Sequence, residues 1–323
     1  MRAWQVTESG EPREVMRLVP DVPRPAAGPG QLLVRVRAAA VNFPDALMVR
    51  GQYQVRPPLP FTPGVELCGE VADGPRAGER VIGNPVLPGG AFAEYALLEA
   101  AAAFPAPGAL DDAEAAALHI GYQTAWFALH RRAGLRPGET LLVHAAAGGV
   151  GSAAVQLGRA AGARVIAVVG GPEKASVARE LGADLVVDRT AEDFPAAVRE
   201  ATGGRGADVV FDPVGGAAYA GSAKCVAFEG RIVVIGFASG EIPAPALGHA
   251  LVKNYSILGL HWGLYNTRDP RAVRAAHEEL TKLAEAGVVR PLVSDRLPLT
   301  GAAEAVQRVA DGRSTGRVVV LGA

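Results

Sequence analysis

The sequence predicts an α/β protein of two domains, a doubly wound parallel sheet of Rossmann type joined to a mainly β domain, and three observations carry that expectation. The chain has 323 residues, beyond the roughly 250 to 300 at which a single hydrophobic core stops growing. Residues 1 to about 118 read as short β segments broken by Gly and Pro. From about residue 139, short apolar runs alternate with amphipathic or alanine-rich segments.

In the first stretch, QLLVRVRAAAV alternates Leu32, Val34 and Val36 with Leu33, Arg35 and Arg37. This period of two fits a strand with one wet face. PRPAAGPG at 23–30 and NPVLPGG at 84–90 mark loops, and the lack of helical periodicity suggests a mainly β barrel. In the second stretch the apolar runs are TLLVHA, RVIAVV, DLVV, DVVFD, RIVVIG and YSILGL, most of them separated by helical segments. Uninterrupted Val and Ile fit a sheet buried on both faces, which means a parallel one. Residues 270–286 and 300–311 read as helices, the second opening on Thr300 as a cap with Glu304 in its first turn. The run RVVVL at 317–321 is a strand that can rejoin the first domain.

Composition narrows the partners. A hydrophobic content of 49% suffices for two cores, and 32 basic against 33 acidic residues lack the one-sided balance of a nucleic-acid or acidic-membrane binder. The opening MRAWQVTESGEPREV has no apolar leader, and no stretch reaches the ~18 charge-free apolar residues of a membrane span, so a cytoplasmic protein is expected. Cys68 and Cys225 are too few and too far apart for a disulfide framework or a local metal motif.

The chemistry concentrates at AAAGGVG, residues 145–151, which follows the run TLLVHA and precedes the helical SAAVQLGRAAGA. Strand, glycine turn and helix in that order are the context of a dinucleotide site, although Ala146 stands where the first glycine of the usual pattern falls. There Ala147, Gly148, Gly149, Val150 and Gly151 would meet the pyrophosphate, with amides at the helix start facing the anion. The second strand ends in Val168, Val169, Gly170 and Gly171, followed by Pro172, Glu173 and Lys174, without the strand-end acid that accepts from the ribose of NAD. Gly170, Lys174 and Arg189 would instead admit a 2′-phosphate, which favours NADPH. The same two cations also suit ordinary solvated positions.

Seven segments extend the pattern along the chain: VNFPD at 41–45, RGQYQVRPPLPFTPGVE at 50–66, GYQTAW at 121–126, AAAGGVG, EGRIVVIGFASG at 229–240, KNYSILGLHWGLY at 253–265 and STGRVVVL at 314–321. Together they resemble the medium-chain dehydrogenase/reductase superfamily, in its zinc-free quinone oxidoreductase family and closest to the quinone oxidoreductase-like protein 2 group. The resemblance implies a GroES-like domain of residues 1–120 and 262–323 around a Rossmann domain of 121–261, with the active cleft between them. Zinc-bearing members use a Cys near the position of Asn42 and a His directly before the glutamate of a G-H-E motif. Asn42 and Val65 stand there in this chain, so no metal is expected.

The resemblance also assigns roles. Asn42, Asp45 and Thr124 would fix the nicotinamide, and Tyr53 would stand over the substrate. Gly236, Phe237 and Ser239 would lie beside the nicotinamide ribose, with Leu260, His261, Trp262 and Arg317 against the cofactor. Tyr122 and Tyr265 are further wall residues, and Leu47, where some members carry tyrosine, suggests a more apolar pocket. His261 is a further proton donor to consider, a packed histidine being the plainer reading, as a surface charge is for Arg317. Members are commonly homodimers paired through the last Rossmann strand, here YSILGL at 255–260. The function implied is NADPH-dependent hydride transfer to a quinone or similar conjugated acceptor. The alternatives are C=C reduction in enones, alkenals or enoyl thioesters, a catalytically weak NADPH-binding sensor or structural protein, and, last, an alcohol dehydrogenase with an unseen metal.

Overall fold

The computed structural model describes residues 1–322, which form two compact units: Met1–Ile120 with the chain from His277 onward, and Gly121–Ala276. The first unit opens with β1 (Ala3–Val6), α1 (Pro12–Val15), β2 (Met16–Val19), β3 (Gln31–Ala40), α2 (Phe43–Val49), β4 (Leu67–Val71), β5 (Arg80–Gly83), β6 (Tyr95–Glu99) and β7 (Phe104–Pro105). Helix α3 (Asp112–Trp126) carries the chain into the second unit. There follow β8 (Thr140–His144), α4 (Gly149–Ala160), β9 (Arg164–Val169), α5 (Pro172–Glu180), β10 (Leu185–Asp188), α6 (Phe194–Ala201), β11 (Ala207–Asp212), α7 (Gly216–Cys225), β12 (Val226–Val234), α8 (Leu247–Lys253), β13 (Ser256–Gly259) and α9 (Tyr265–Arg268). Helix α10 (Pro270–Glu285) returns the chain to the first unit, which ends with β14 (Val293–Pro298), α11 (Ala302–Ala310) and β15 (Arg317–Leu321).

The sheet of the first unit runs β14-β15-β3-β4-β5-β7, with β6 also paired to β3. Strand β3 shows the expected alternation at its centre, where Leu32, Val34 and Val36 are buried and Arg35 and Arg37 are exposed. Leu33 and the stretch Ala38–Ala40 are buried as well, so the wet face is confined to the two arginines. β15 pairs with β3 through Val319, Val320 and Leu321, so the terminal strand does rejoin the first unit. In the second unit all six strands are parallel in the order β10-β9-β8-β11-β12-β13. That is the doubly wound order 3-2-1-4-5-6. All five residues of β8 are buried, as a sheet covered on both faces requires.

Three expectations change. Helices α1, α2 and α3 begin within the stretch read as β. The second boundary falls between Ala276 and His277, so residues 262–276 belong with the nucleotide-type unit and not with the first. Side-chain contacts explain why: Gln123 Nε2 donates to the carbonyl of Val273 at 3.1 Å, and the rings of Phe127 and Tyr265 lie 4.3 Å apart. Finally, Thr300 does not cap α11. It sits in a 3₁₀ turn, Leu299–Gly301, and Gly301 is the capping residue.

Candidate active site

In the second unit the candidate nucleotide residues fall at the carboxyl ends of the parallel strands, where ligands of open α/β sheets bind. After β8 the chain turns through Ala145, at a left-handed φ of 48°, and enters α4 with Gly148 as its cap. Gly149, Val150 and Gly151 are the first helical residues, whose amides have no carbonyl one turn back to bond. A Cβ at Gly151 would collide with the carbonyl of Ala145, so only glycine lets α4 start this close to the turn. Ala146 and Ala147 are buried, whereas Gly148–Val150 are partly open.

At the end of β9, Gly170 lies beneath the Arg189 guanidinium, whose Nη2 is 3.2 Å from where a Cβ would stand. Lys174 occupies the first turn of α5. Sequence reasoning missed an acid here, because Asp188 ends the neighbouring strand rather than β9. Its Oδ1 accepts from the amides of Gly171 and Thr190, each at 2.9 Å, and from the Thr190 hydroxyl at 2.7 Å. Those bonds, the Gly171 amide first, hold the carboxyl below its usual range. Asp188 therefore shapes the loop, while Arg189 is exposed beside it.

After β12, Ala238 and Ser239 donate their amides to the carbonyls of Pro213 and Val214, both at 3.0 Å, and the Ser239 hydroxyl donates to Val214 at 2.7 Å. The loop bearing Gly236, Phe237 and Ser239 is thus stitched to the end of β11. Leu260 follows β13 with its amide on the Val234 carbonyl at 3.0 Å, His261 is exposed and Trp262 buried. Thr124 is buried on α3. Tyr122 is wholly buried, which makes it core and not a substrate wall.

The first unit holds a buried polar cluster. Asn42 caps α2 and Asp45 completes a capping box, its Oδ2 accepting from the Asn42 amide at 2.8 Å and its Oδ1 from the Gly64 amide at 2.9 Å. Each oxygen of Asp45 accepts from a backbone amide, so its carboxyl ties two loops together. The Asn42 amide nitrogen donates to the Ala40 carbonyl at 3.1 Å and to Glu66 Oε1 at 2.9 Å. Arg317 does not extend outward from β15 as expected. It is 4% exposed, donates Nη1 to Asn42 Oδ1 at 3.0 Å and forms an ion pair with Glu66. Burial pushes Asp45 up to about 7, against the pull of the Asn42 and Gly64 amides and of Arg317, and draws Arg317 down to about 10. Tyr53 is half-buried against this unit's core, and burial, then the nearby Asp45, raises its phenol.

Glu66 and Asn84, which the sequence reading did not select, support this cluster. Glu66 Oε2 accepts from the Ile120 amide in α3 at 2.8 Å, Asn84 donates to the Val65 carbonyl at 2.8 Å, and His119 bonds Asn84 Oδ1 at 3.0 Å. Since that oxygen can only accept, His119 Nε2 carries the proton. Burial, with a smaller push from His277, lowers His119 to about 3 from its ordinary 6.5. The folded value lies below the unfolded one, so this contribution is present above pH 6.5 and is lost as pH falls toward 3. The gap corresponds to at most about 5 kcal/mol. Urea midpoints of wild type and His119→Gln between about pH 7.5 and 4.5 are expected to converge on acidification; parallel curves would contradict the account.

Residues 28–108 match the family model of the alcohol dehydrogenase GroES-like domain, and residues 149–282 match that of the zinc-binding dehydrogenases. The chain is 39% identical over 300 residues to the quinone oxidoreductase-like protein 2 homolog of Nematostella vectensis, covering 91% of this chain and 82% of that protein. Among solved structures, a quinone oxidoreductase from Thermus thermophilus, described alone and in its complex with NADPH, is 36% identical with a TM-score of 0.86, covering 99% of this chain and 100% of that one. The Escherichia coli quinone oxidoreductase complexed with NADPH is 30% identical with a TM-score of 0.90, at the same coverage of 99% and 100%. A GroES-like unit and a Rossmann unit on one chain define a medium-chain dehydrogenase/reductase. Within that superfamily the chain belongs to the quinone oxidoreductase family of oxidoreductases.

The second of the matched families binds zinc, and the residues here do not fit that metal. The Asn42 amide is bonded on both its nitrogen and its oxygen inside the protein, and the Val65 side chain carries no ligand atom. Among the described residues, no group of three or more His, Cys, Asp and Glu is placed to hold a metal ion. The glycine turn does fit a dinucleotide, because the amides of Gly149, Val150 and Gly151 at the head of α4 have no carbonyl one turn back and can face an anion. Among the described residues, no helix is long and apolar enough to cross a membrane.

Proposed function

We propose that this chain is an NADPH-dependent, zinc-independent oxidoreductase that delivers hydride to a quinone or similarly conjugated acceptor. The observation that carries the cofactor choice is the end of β9, where Gly171 faces open space, the Arg189 guanidinium lies against Gly170, and Lys174 adds a second cation. Amides of Gly149–Gly151 receive the pyrophosphate at the head of α4, with Gly148 letting the backbone approach it. Arg189 and Lys174 take the 2′-phosphate by charge-assisted hydrogen bonds. Gly236, Phe237, Ser239, Leu260, His261 and Trp262 belong to the nicotinamide half, with Thr124 and Asn42 as polar anchors and Tyr53 beside the acceptor. The bound cofactor supplies the hydride. The protein holds the donor and acceptor in register, and one proton from solvent completes a two-electron reduction, so no protein nucleophile is needed.

The relatives named for quinones support the acceptor class. A panel of quinones, alkenals and crotonyl thioesters with NADPH tests it: turnover of quinones is expected, and turnover of thioesters alone would replace the assignment with C=C reduction. NADPH binding without turnover on any acceptor would make the chain a nucleotide-binding sensor. A second copy of the chain is the partner we assign. β13 lies at the edge of its sheet, and Leu247, Leu251 and Val252 on α8 are exposed at 72%, 78% and 79%. An open strand edge beside an apolar helix face favours pairing with another copy. Light scattering is expected to return twice the chain mass of 33.2 kDa, and a monomer would overturn the assignment.

A further inference from the structure

We infer that Asp188 is a positioning residue for the 2′-phosphate of NADPH, a carboxylate that strengthens a site for an anion because it ties together the two loops that carry the cations. The inference rests on the reading of Arg189 and Lys174 as the groups that meet that phosphate. By charge alone, an acid beside those cations would repel the phosphate and favour NADH. The hydrogen bonds point the other way.

Asp188 ends β10 and pairs in register with Val169, the last residue of β9. Its Oδ1 reaches both of the loops that leave these strands, accepting from the Gly171 amide after β9 and from the Thr190 amide and hydroxyl after β10. Gly171 is the cap of α5, at a φ of 95°, and its carbonyl accepts the Ala175 amide at 3.1 Å. The first turn of α5, with Lys174 in it, therefore starts from a residue that Asp188 holds. Arg189 is held on both sides, its own amide on the Val169 carbonyl at 3.0 Å and the following Thr190 on Asp188. Its Nη2, Cζ and Nε lie 3.2, 3.5 and 3.5 Å from where a Cβ on Gly170 would stand, so the guanidinium rests across that glycine. One carboxylate oxygen thus sets the spacing of both cations. Cations fixed in advance lose less freedom on binding than loose ones, which favours the phosphate.

The test separates charge from geometry with three variants of the full-length protein, each titrated with NADPH and with NADH at one ionic strength. Asp188→Asn keeps an acceptor in place and removes the charge, Asp188→Glu keeps the charge and displaces the acceptor, and Asp188→Ala removes both. Kd for NADPH is expected to rise about 10-fold in the Ala and Glu variants and to stay within about threefold of wild type in Asp188→Asn, with NADH within about threefold throughout. Tighter NADPH binding by the Asn and Ala variants, or equal losses for both cofactors in the Ala and Glu variants, overturns the inference. Should Asp188→Ala fail to fold, the Asn and Glu variants decide alone. With Arg189 and Lys174 both replaced by Ala, adding Asp188→Ala is expected to change Kd for NADPH by less than about threefold. A further loss of about 10-fold there would show that Asp188 acts through other groups and would overturn the inference as well. Wild type that binds both cofactors equally counts against the proposed function, and the inference falls with it. A wild-type preference for NADPH that survives both Asp188→Ala and Asp188→Glu overturns the inference alone.

Discussion

Replacing Arg189 and Lys174 together by Ala is expected to raise KM for NADPH by roughly 100-fold and to change that for NADH by less than about threefold. Hydrogen bonds to charged groups are worth about 1.5 to 3 kcal/mol each, so losing two costs about 3 kcal/mol or more. The loss falls on NADPH alone because NADH lacks the 2′-phosphate that the two cations would meet. Arg189 is the stronger of the pair on geometric grounds, since its guanidinium already stands over Gly170, 3.2 Å from where a Cβ would be. Its planar fork also suits a phosphate better than an ammonium does. Adding salt should narrow the gap between the two cofactors in wild type, as exposed charge pairs are screened. An equal loss for both cofactors would show that the cations act on the fold or on the pyrophosphate instead.

The second large effect is on stability. Arg317→Met leaves Glu66 and Asp45 buried with their cation gone, and breaking a buried pair from one side costs about 3 to 5 kcal/mol. Glu66 would keep its bonds to the Asn42 and Ile120 amides, which places the expected loss toward the lower end of that range. Combining Arg317→Met with Glu66→Gln removes both charges and is expected to recover most of the loss, since neutral replacements of buried pairs are often tolerated. Urea midpoints of Arg317→Met, Glu66→Gln and the double variant check this. If the double variant is as unstable as Arg317→Met alone, the side chains matter through their volume and not their charge.

The nucleotide-type unit is largely legible in the sequence because its signals are local. Runs such as RVIAVV and DVVFD become β9 and β11 in the parallel sheet, and the turn at 145–151 leads from β8 into α4. Buried parallel strands announce themselves by unbroken apolar runs, and a glycine turn by adjacent residues. The first unit's cluster is not legible to the same degree. Arg317 joins Asn42, Asp45 and Glu66 only because β15 pairs with β3 across almost the whole chain, and nothing near Arg317 in sequence distinguishes it from a surface arginine. Glu66 lies in plain view in PGVE, but without a histidine before it nothing local marks it as part of a site. The boundary expected at 262 fails for a related reason. The unit boundaries fall inside helices α3 and α10, where no Gly- or Pro-rich linker marks a change of unit.

Titrating the wild-type protein with NADPH and with NADH at one ionic strength measures the central claim most directly, because it reads the end of β9 without requiring any acceptor. The account predicts that NADPH binds at least about 10-fold more tightly, one charge-assisted contact's worth. NADH binding as tightly as NADPH, or more so, would contradict it.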